Sequence, residues 1–312
     1  CHRKITTMTK LYRANGKLLL TAEYTILDGA IGLGLPTKKG QILEIIQCSN
    51  KQLHWQSFDH HMNMWYENSF EITTSKIIPN KLKEDPVTQR LVQIFNTCLE
   101  ISPELVKKLI GHKCRTILEF DKSWGLGSSS TLISLISQWT KTNPYDLLMK
   151  SFGGSGYDIA CANNNQPILY RKIKNTPEVT PTAFNPAFRN DLYFVYLNQK
   201  QNSRIGIKQY NSIKRDKKEF IQQINTITKA ILSCNDLISF KSLINEHEAI
   251  IAKCTNQKTV KERLFNDFNG ALKSLGAWGG DFILAATETD PTSYFKNKGL
   301  NTVIPYKDMI LS

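Results

Sequence analysis

The sequence has no C-x-x-C pair and no cysteine–histidine cluster at zinc spacing, so no zinc-stapled domain is predicted. Its seven cysteines are odd in number and irregularly spaced, which argues against a disulfide framework. Reduced, mostly buried thiols and a cytoplasmic location are the expectation. No stretch approaches the ~18–20 consecutive apolar residues of a membrane span, and no membrane partner is expected. Residues 1–12 are mostly polar and basic, which predicts no secretory signal, and Met8 reads as the natural start. The one Gly-Lys pair, Gly16-Lys17, is not part of a G-x-x-x-x-G-K-[ST] loop. No strand–GxGxxG–helix unit opens the chain, so a dinucleotide fold is not predicted. Internal repeats, low-complexity tracts, and helix-turn-helix, zinc-finger and RNP signatures are likewise missing, and no nucleic-acid partner is expected.

What the chain does have is length and a basic balance. Its 312 residues suit about two domains at roughly 100–200 residues each. With 41% apolar and 21% charged residues it can fill a core, which rules out a collagen, a disordered tail or a miniprotein. Forty Lys+Arg against 27 Asp+Glu leave +13, a balance that favours anionic partners such as phosphorylated small molecules. The charge is scattered, however. Its densest stretch, 208–218, includes Asp216 and reads as the solvated face of a helix.

Short apolar runs predict strands at 17–24 (KLLLTAEY), 41–47, 52–56 and 114–120. Residues 86–100 place Val87, Leu91, Ile94, Phe95, Cys98 and Leu99 at helical spacing behind an N-terminal proline. Residues 128–140 carry a second apolar stripe, Leu132, Ile133, Leu135, Ile136 and Trp139. A polar stretch from about 163 to 190 separates two halves. The second half opens on a β-prone strand at 191–198, continues through two or three helices between 205 and 275, and ends with a strand at 282–286. The predicted class is α+β, in two domains at 8–175 and 190–312.

Three glycine-rich segments look suited to phosphate chemistry. In Gly125-Leu126-Gly127-Ser128-Ser129-Ser130 the glycines let backbone approach a ligand, and the helix behind them offers unpaired N–H groups. Phosphate is the natural guest of such a terminus, and the hydroxyls can bind its oxygens or a magnesium ion. A tight turn with serine caps would have the same sequence. The second segment, 153–160, sets Asp158 in a glycine-rich, otherwise uncharged stretch, as a functional carboxylate or a turn cap would be set. The third runs from Lys273 through Gly276, Trp278, Gly279 and Gly280 to Asp281, between helix and strand.

In this order, behind the N-terminal 14–24 segment, the three resemble the GHMP kinase superfamily over residues 15–286. The resemblance implies a two-domain fold, ribosomal-protein-like α/β at the N-terminus and ferredoxin-like at the C-terminus. It implies an ATP- and magnesium-dependent small-molecule kinase working on an anionic substrate, as a monomer or homodimer. Gly125, Leu126, Gly127, Ser128, Ser129 and Ser130 match the loop around the ATP phosphates, Ser129 being also the magnesium ligand. Gly276, Gly279 and Gly280 match the C-terminal glycine loop. Asp158, in Ser155-Gly156-Tyr157-Asp158, matches the catalytic aspartate of the mevalonate-kinase branch, and Lys17 the lysine near the transferred phosphate. Glu23, Tyr24, Ser155 and Arg204 are the expected substrate contacts.

Glu23-Tyr24 followed by Leu27-Asp28-Gly29 looks closer to phosphomevalonate kinase than to mevalonate kinase. Mevalonate or phosphomevalonate is therefore the leading substrate, with homoserine- or sugar-type substrates behind. The glutamate that ligates magnesium in mevalonate kinase has only Asp146 as a candidate match. Trp124 and Trp278 stand where smaller residues are common in the family, and their narrowing of the nucleotide pocket keeps open a kinase fold that binds nucleotide without turnover. His247, in a helical stretch, reads as a packing or surface residue.

Overall fold

The computed structural model describes residues 9–81, 84–174, 176–199, 203–213, 216–276, 278 and 280–311; within them the side chains of 203–205 and 209 are not described. The fold is mixed α/β, and the chain divides into two compact units built from interleaved stretches. One comprises residues 1–16, 39–122 and 127–163, the other 17–38, 123–126 and 164–312. Two long strands run through both stretches, β1 (Thr9–Leu19) and β2 (Gly32–Gln47).

In the first unit, β3 (Leu53–Phe58), β4 (Met64–Ile72), β5 (Ile77–Pro79) and β6 (His112–Leu118) join the later half of β2 in the order β5-β4-β3-β6-β2. β3 and β6 are parallel, with Trp55 opposite Cys114, and the remaining pairs are antiparallel. The helices are α1 (Pro86–Ile101), the short α2 (Val106–Leu109), α3 (Ser128–Thr140), α4 (Pro144–Ser151) and α5 (Tyr157–Ala162). α1 starts where the sequence predicts, because the Asp85 carboxylate caps Thr88 N–H at 2.7 Å ahead of Pro86. Its Phe95 ring meets Trp55 of β3 edge-on at 5.6 Å and Trp139 of α3 edge-on at 6.2 Å. One aromatic cluster thus ties sheet, α1 and α3 together, and it fixes the position of α3.

The second unit holds the early half of β2, paired through Gly32–Gly34 with β7 (Ile168–Ile173), which pairs in turn with β8 (Thr176–Pro181). The polar stretch at 163–190 therefore carries a hairpin. A separate antiparallel sheet has the order β10-β11-β9-β12, from β9 (Leu192–Tyr196), β10 (Ala271–Ser274), β11 (Phe282–Ala286) and β12 (Val303–Pro305). Among the described residues four helices lie between β9 and β10 where two or three were expected: α6 (Ser203–Asn211), α7 (Lys218–Leu232), α8 (Leu237–Thr255) and α9 (Val260–Leu264). α8 lies on β10 and α7 on α8.

The predicted strand at 17–24 stops short. β1 ends at Leu19, and the chain then turns through left-handed backbone at Ala22 (φ 71°) and Tyr24 (φ 60°) into a 3₁₀ turn at Thr25–Asp28. Non-glycine residues adopt such φ values only where the surroundings hold them there.

β1 and β2 also approach closely at Gly40. A Cβ there would strike the Ala14 carbonyl oxygen and lie 3.0 Å from its carbon, with backbone on both sides unable to yield. Gly40→Ala is therefore expected to destabilise the protein by about 2 kcal/mol or more, read as a lowered urea midpoint. An unchanged midpoint would contradict this contact.

Candidate functional site

The Gly125–Ser130 segment is built as a phosphate cradle requires. Gly125 and Gly127 are both left-handed, at φ 67° and 92°. α3 begins at Ser128 with Gly127 as its N-cap, and no side chain among the described residues caps its first turn. The first-turn N–H groups of such a helix lack intrahelical acceptors and carry the positive end of the dipole. Ser128 is half-buried and Ser129 exposed, whereas the Ser130 hydroxyl is spent on Gly127 C=O at 2.8 Å. Thr131 bonds Gln41 of β2 at 2.6 Å, which pins this turn to the first unit's sheet. Uncapped N–H groups, left-handed glycines and two available hydroxyls fit a polyphosphate chemically.

Asp158 is half-buried in the first turn of α5, behind the left-handed Gly156. α5 lies against α3, and Ser134 of α3 donates to the Asn163 side chain at the end of α5 at 2.6 Å. Ser155 is buried beside it. Gly153 and Gly154 are also left-handed, and a Cβ at either would meet only open space. Their backbone conformation, not crowding, selects glycine. Asp146 is exposed in the first turn of α4. Among the described residues no three His, Cys, Asp or Glu side chains cluster to hold a metal.

In the second unit, Lys17 is half-buried on β1, and its N–H bonds Leu126 C=O at 3.0 Å, so the N-terminal Gly-Lys segment lies beside the first glycine loop. The third glycine segment reaches that loop too. Asp281 is left-handed (φ 55°), and its carboxylate presses on Gly125 so closely that a Cβ there would lie 2.5 Å from Oδ2. Gly276 is left-handed at φ 64° and Gly280 is buried, while Gly279 lies outside the described residues. Arg204 falls in α6, but its side chain lies outside the description.

Glu23 and Tyr24, expected at the substrate, are both buried in the second unit. Glu23 is wholly buried and accepts a hydrogen bond from the equally buried Lys273 of β10. Glu248 of α8, also buried, accepts from the Ser274 hydroxyl at 2.7 Å and its N–H at 3.1 Å. His247 Nε2 accepts the Ala22 N–H at 2.9 Å and lies 3.5 Å from Glu23 Oε2. That bond requires a neutral ring, and burial together with the Lys273 charge holds the imidazole well below its ordinary pKa. The packing role read for His247 is what the geometry has. Glu23 Oε2, Thr25 Oγ1, His247 Nδ1 and Trp278 Nε1 are buried without a hydrogen-bond partner among the described residues. Glu248 was not singled out from the sequence, and Lys273 was named only as the start of the third glycine segment; it lies inside the wholly buried β10 run Ala271–Ser274.

The fold is that of the GHMP kinases. It is similar to the crystal structure of Methanococcus jannaschii mevalonate kinase, with a TM-score of 0.68 at 15% identity, covering 99% of each chain. Streptococcus pneumoniae phosphomevalonate kinase, in complex with phosphomevalonate and AMPPNP, matches with a TM-score of 0.65 at 15% identity over 97% of this chain and 98% of that one. Lactococcus lactis galactokinase complexed with galactose gives 0.66 at 13% identity over 93% and 88%. No protein-family model and no curated protein sequence matches the chain. No helix among the described residues is long and apolar enough to cross a membrane.

The buried cluster has a pH signature. Burial raises the Glu23 carboxyl from its ordinary 4.5 to about 7, against the opposing pull of Lys273. The folded chain therefore keeps a proton that the unfolded chain releases above 4.5. Glu23's contribution to stability is full below that pH and is lost as pH rises towards 7. The neutral His247 has the opposite slope, so the difference between wild type and Glu23→Gln isolates the carboxyl. Urea unfolding at pH 4.5 to 7.5 should show wild type losing ground to the variant as pH rises. A growing wild-type advantage would mean that Glu23 is ionised throughout.

Proposed function

We propose that this protein is an ATP-dependent small-molecule kinase of GHMP type, acting on an anionic metabolite, with mevalonate or phosphomevalonate as the leading acceptors. The observation that carries the reading is the uncapped start of α3 behind two left-handed glycines, in a chain whose fold matches the three kinases over at least 93% of its length. The phosphomevalonate and AMPPNP bound by one of these neighbours support the choice of substrate class. The proposed domain division is 8–175, ribosomal-protein-like, and 190–312, ferredoxin-like.

In this reading the N–H groups of Ser128 and Ser129 and the backbone of Gly125–Gly127 hold the β- and γ-phosphates. Phosphoryl transfer is chiefly a matter of alignment and charge stabilisation, which fixed backbone dipoles supply without reorganising. The Ser129 hydroxyl would hold magnesium, which when bound would supply neutralisation of phosphate charge. Asp158 orients the acceptor and takes its proton as the acceptor oxygen bonds the γ-phosphorus and the bond to the ADP oxygen breaks. Lys17 offsets the charge building on the transferred group. Ser155 and Arg204 are assigned to the acceptor, and Gly276, Gly279 and Gly280 to the turn that flanks the nucleotide. Glu23 is left out of the acceptor contacts, because it is wholly buried and one of its oxygens is taken by Lys273.

A second reading, nucleotide binding without turnover, has one observation in its favour: the Asp281 side chain crowds Gly125 of the first glycine loop, which narrows the space beside it.

ADP release measured with mevalonate, phosphomevalonate, homoserine and galactose separates the two readings: magnesium-dependent turnover with one acceptor supports the kinase, and none with any of them supports the alternative. For the role of Asp158, Asp158→Asn should retain AMPPNP binding and lose ~10²–10⁴-fold in turnover. Near-normal turnover would remove Asp158 from catalysis.

A further inference from the structure

We propose that Tyr24 is a positioning residue whose hydroxyl locks the C-terminal glycine turn and helix α6 into one arrangement, so that nucleotide and acceptor affinities depend on each other through it. The inference rests on the kinase reading for the identity of those two ligands, and on the geometry of the second unit alone for the lock itself.

Three contacts converge on this side chain, and its own backbone is strained. The Trp278 N–H, inside the glycine turn, donates to Tyr24 Oη at 3.1 Å. The ring stacks on Tyr210 of α6, with centroids 5.6 Å apart and planes 19° from parallel. Gly206, one turn earlier on α6, lies flush against the phenol: a Cβ there would be 2.6 Å from Oη and 3.0 Å from Cε1. Glycine is unfavourable inside a helix, by roughly 1 kcal/mol relative to alanine, so close approach is the physical reason for it here. Finally, Tyr24 itself is held at φ 60°, a strained conformation for a residue with a bulky side chain.

The far side of the stack is also fastened. Tyr210 Oη donates to Asp28 at 2.7 Å, and Lys217 reaches Asp28 at 3.2 Å while its ammonium sits 3.8 Å from the Tyr210 ring centroid. α6 is therefore clamped to the 3₁₀ turn Thr25–Asp28 that follows Tyr24 directly. Next to Tyr24, Glu23 grips Lys273 at the end of β10, where the glycine turn begins. The glycine turn is thus tied at its base by Glu23 and within its span by Tyr24, and only Tyr24 also touches α6. Burial raises the phenol pKa, so the hydroxyl stays protonated and available at neutral pH. Arg204, the proposed acceptor contact, lies two residues before Gly206 on the same helix. A ligand that favours one placement of the glycine turn then favours one placement of α6, which is what linkage between two sites requires.

Tyr24→Phe keeps the ring and deletes the lock, and it is tested by hydrogen–deuterium exchange on the unliganded full chain. Amides at 275–282 and 203–211 should exchange faster together, by about fivefold for one net hydrogen bond lost. With AMPPNP as probe, phosphomevalonate should tighten nucleotide binding in wild type, and that coupling should vanish in Tyr24→Phe, whereas stability alone would leave it intact. Gly206→Ala, which pushes on the same hydroxyl, should weaken the coupling as well, and adding Tyr24→Phe to it should cost less than the sum of the two. Unchanged exchange at 275–282 overturns the lock whatever the enzyme's activity. Faster exchange with coupling that survives, or is never present, overturns the positioning role, and additive effects of the two substitutions overturn the shared contact. Failure of the kinase reading itself would register separately, as absence of AMPPNP binding in wild type.

Discussion

A helix that starts without a cap is the constraint on which the functional reading depends. α3 opens on Ser128 with glycine rather than a serine or aspartate oxygen in front of it, and no side chain among the described residues caps its first turn. A cap there would contribute about 1 kcal/mol to stability. The chain forgoes it and keeps two left-handed glycines, an arrangement that makes sense where an anion completes the turn. The aromatic cluster of Trp55, Phe95 and Trp139 and the Thr131–Gln41 bond hold the helix in place, so its terminus is preorganised rather than assembled on binding.

The second unit answers a different problem, the placing of charge in a core. Glu23, Lys273, Glu248 and His247 are all buried, and two carboxylates face one ammonium and one neutral imidazole. Desolvation is the larger effect, which is why the Glu23 carboxyl rises to about 7 in spite of its cationic neighbour. Such a network is a poor source of stability, but it joins particular elements: the turn after β1, the end of β10 and α8. Directional contacts of this kind specify one arrangement where apolar surfaces alone would tolerate several.

The sequence made the local parts of this structure legible. α3 could be placed from Ser128 to Thr140 because the glycines before it and the 3.6-residue stripe within it agree. Strand β11 was readable as an apolar run behind a glycine turn. Where local pattern and tertiary contact disagree, the reading failed. KLLLTAEY looks like a strand through Tyr24, yet the chain leaves β1 after Leu19, because Ala22 and Tyr24 are held left-handed by His247, Trp278 and Tyr210, residues some 190 to 250 positions away. The burial of Glu23 against Lys273 was out of reach for the same reason, since no periodicity connects the two. The three glycine segments were visible as motifs, but the pressure of Asp281 on Gly125 was not. The interleaving of the two units was equally out of reach, since the apolar runs at 17–24 and 41–47 mark only the ends of β1 and β2.

The phosphate-holding role of the α3 terminus is tested most directly by calorimetric titration of the wild-type protein with AMPPNP and magnesium, AMP and adenosine. Affinity should climb steeply with the length of the phosphate tail. Equal affinity for adenosine and AMPPNP, or none for either, would contradict it.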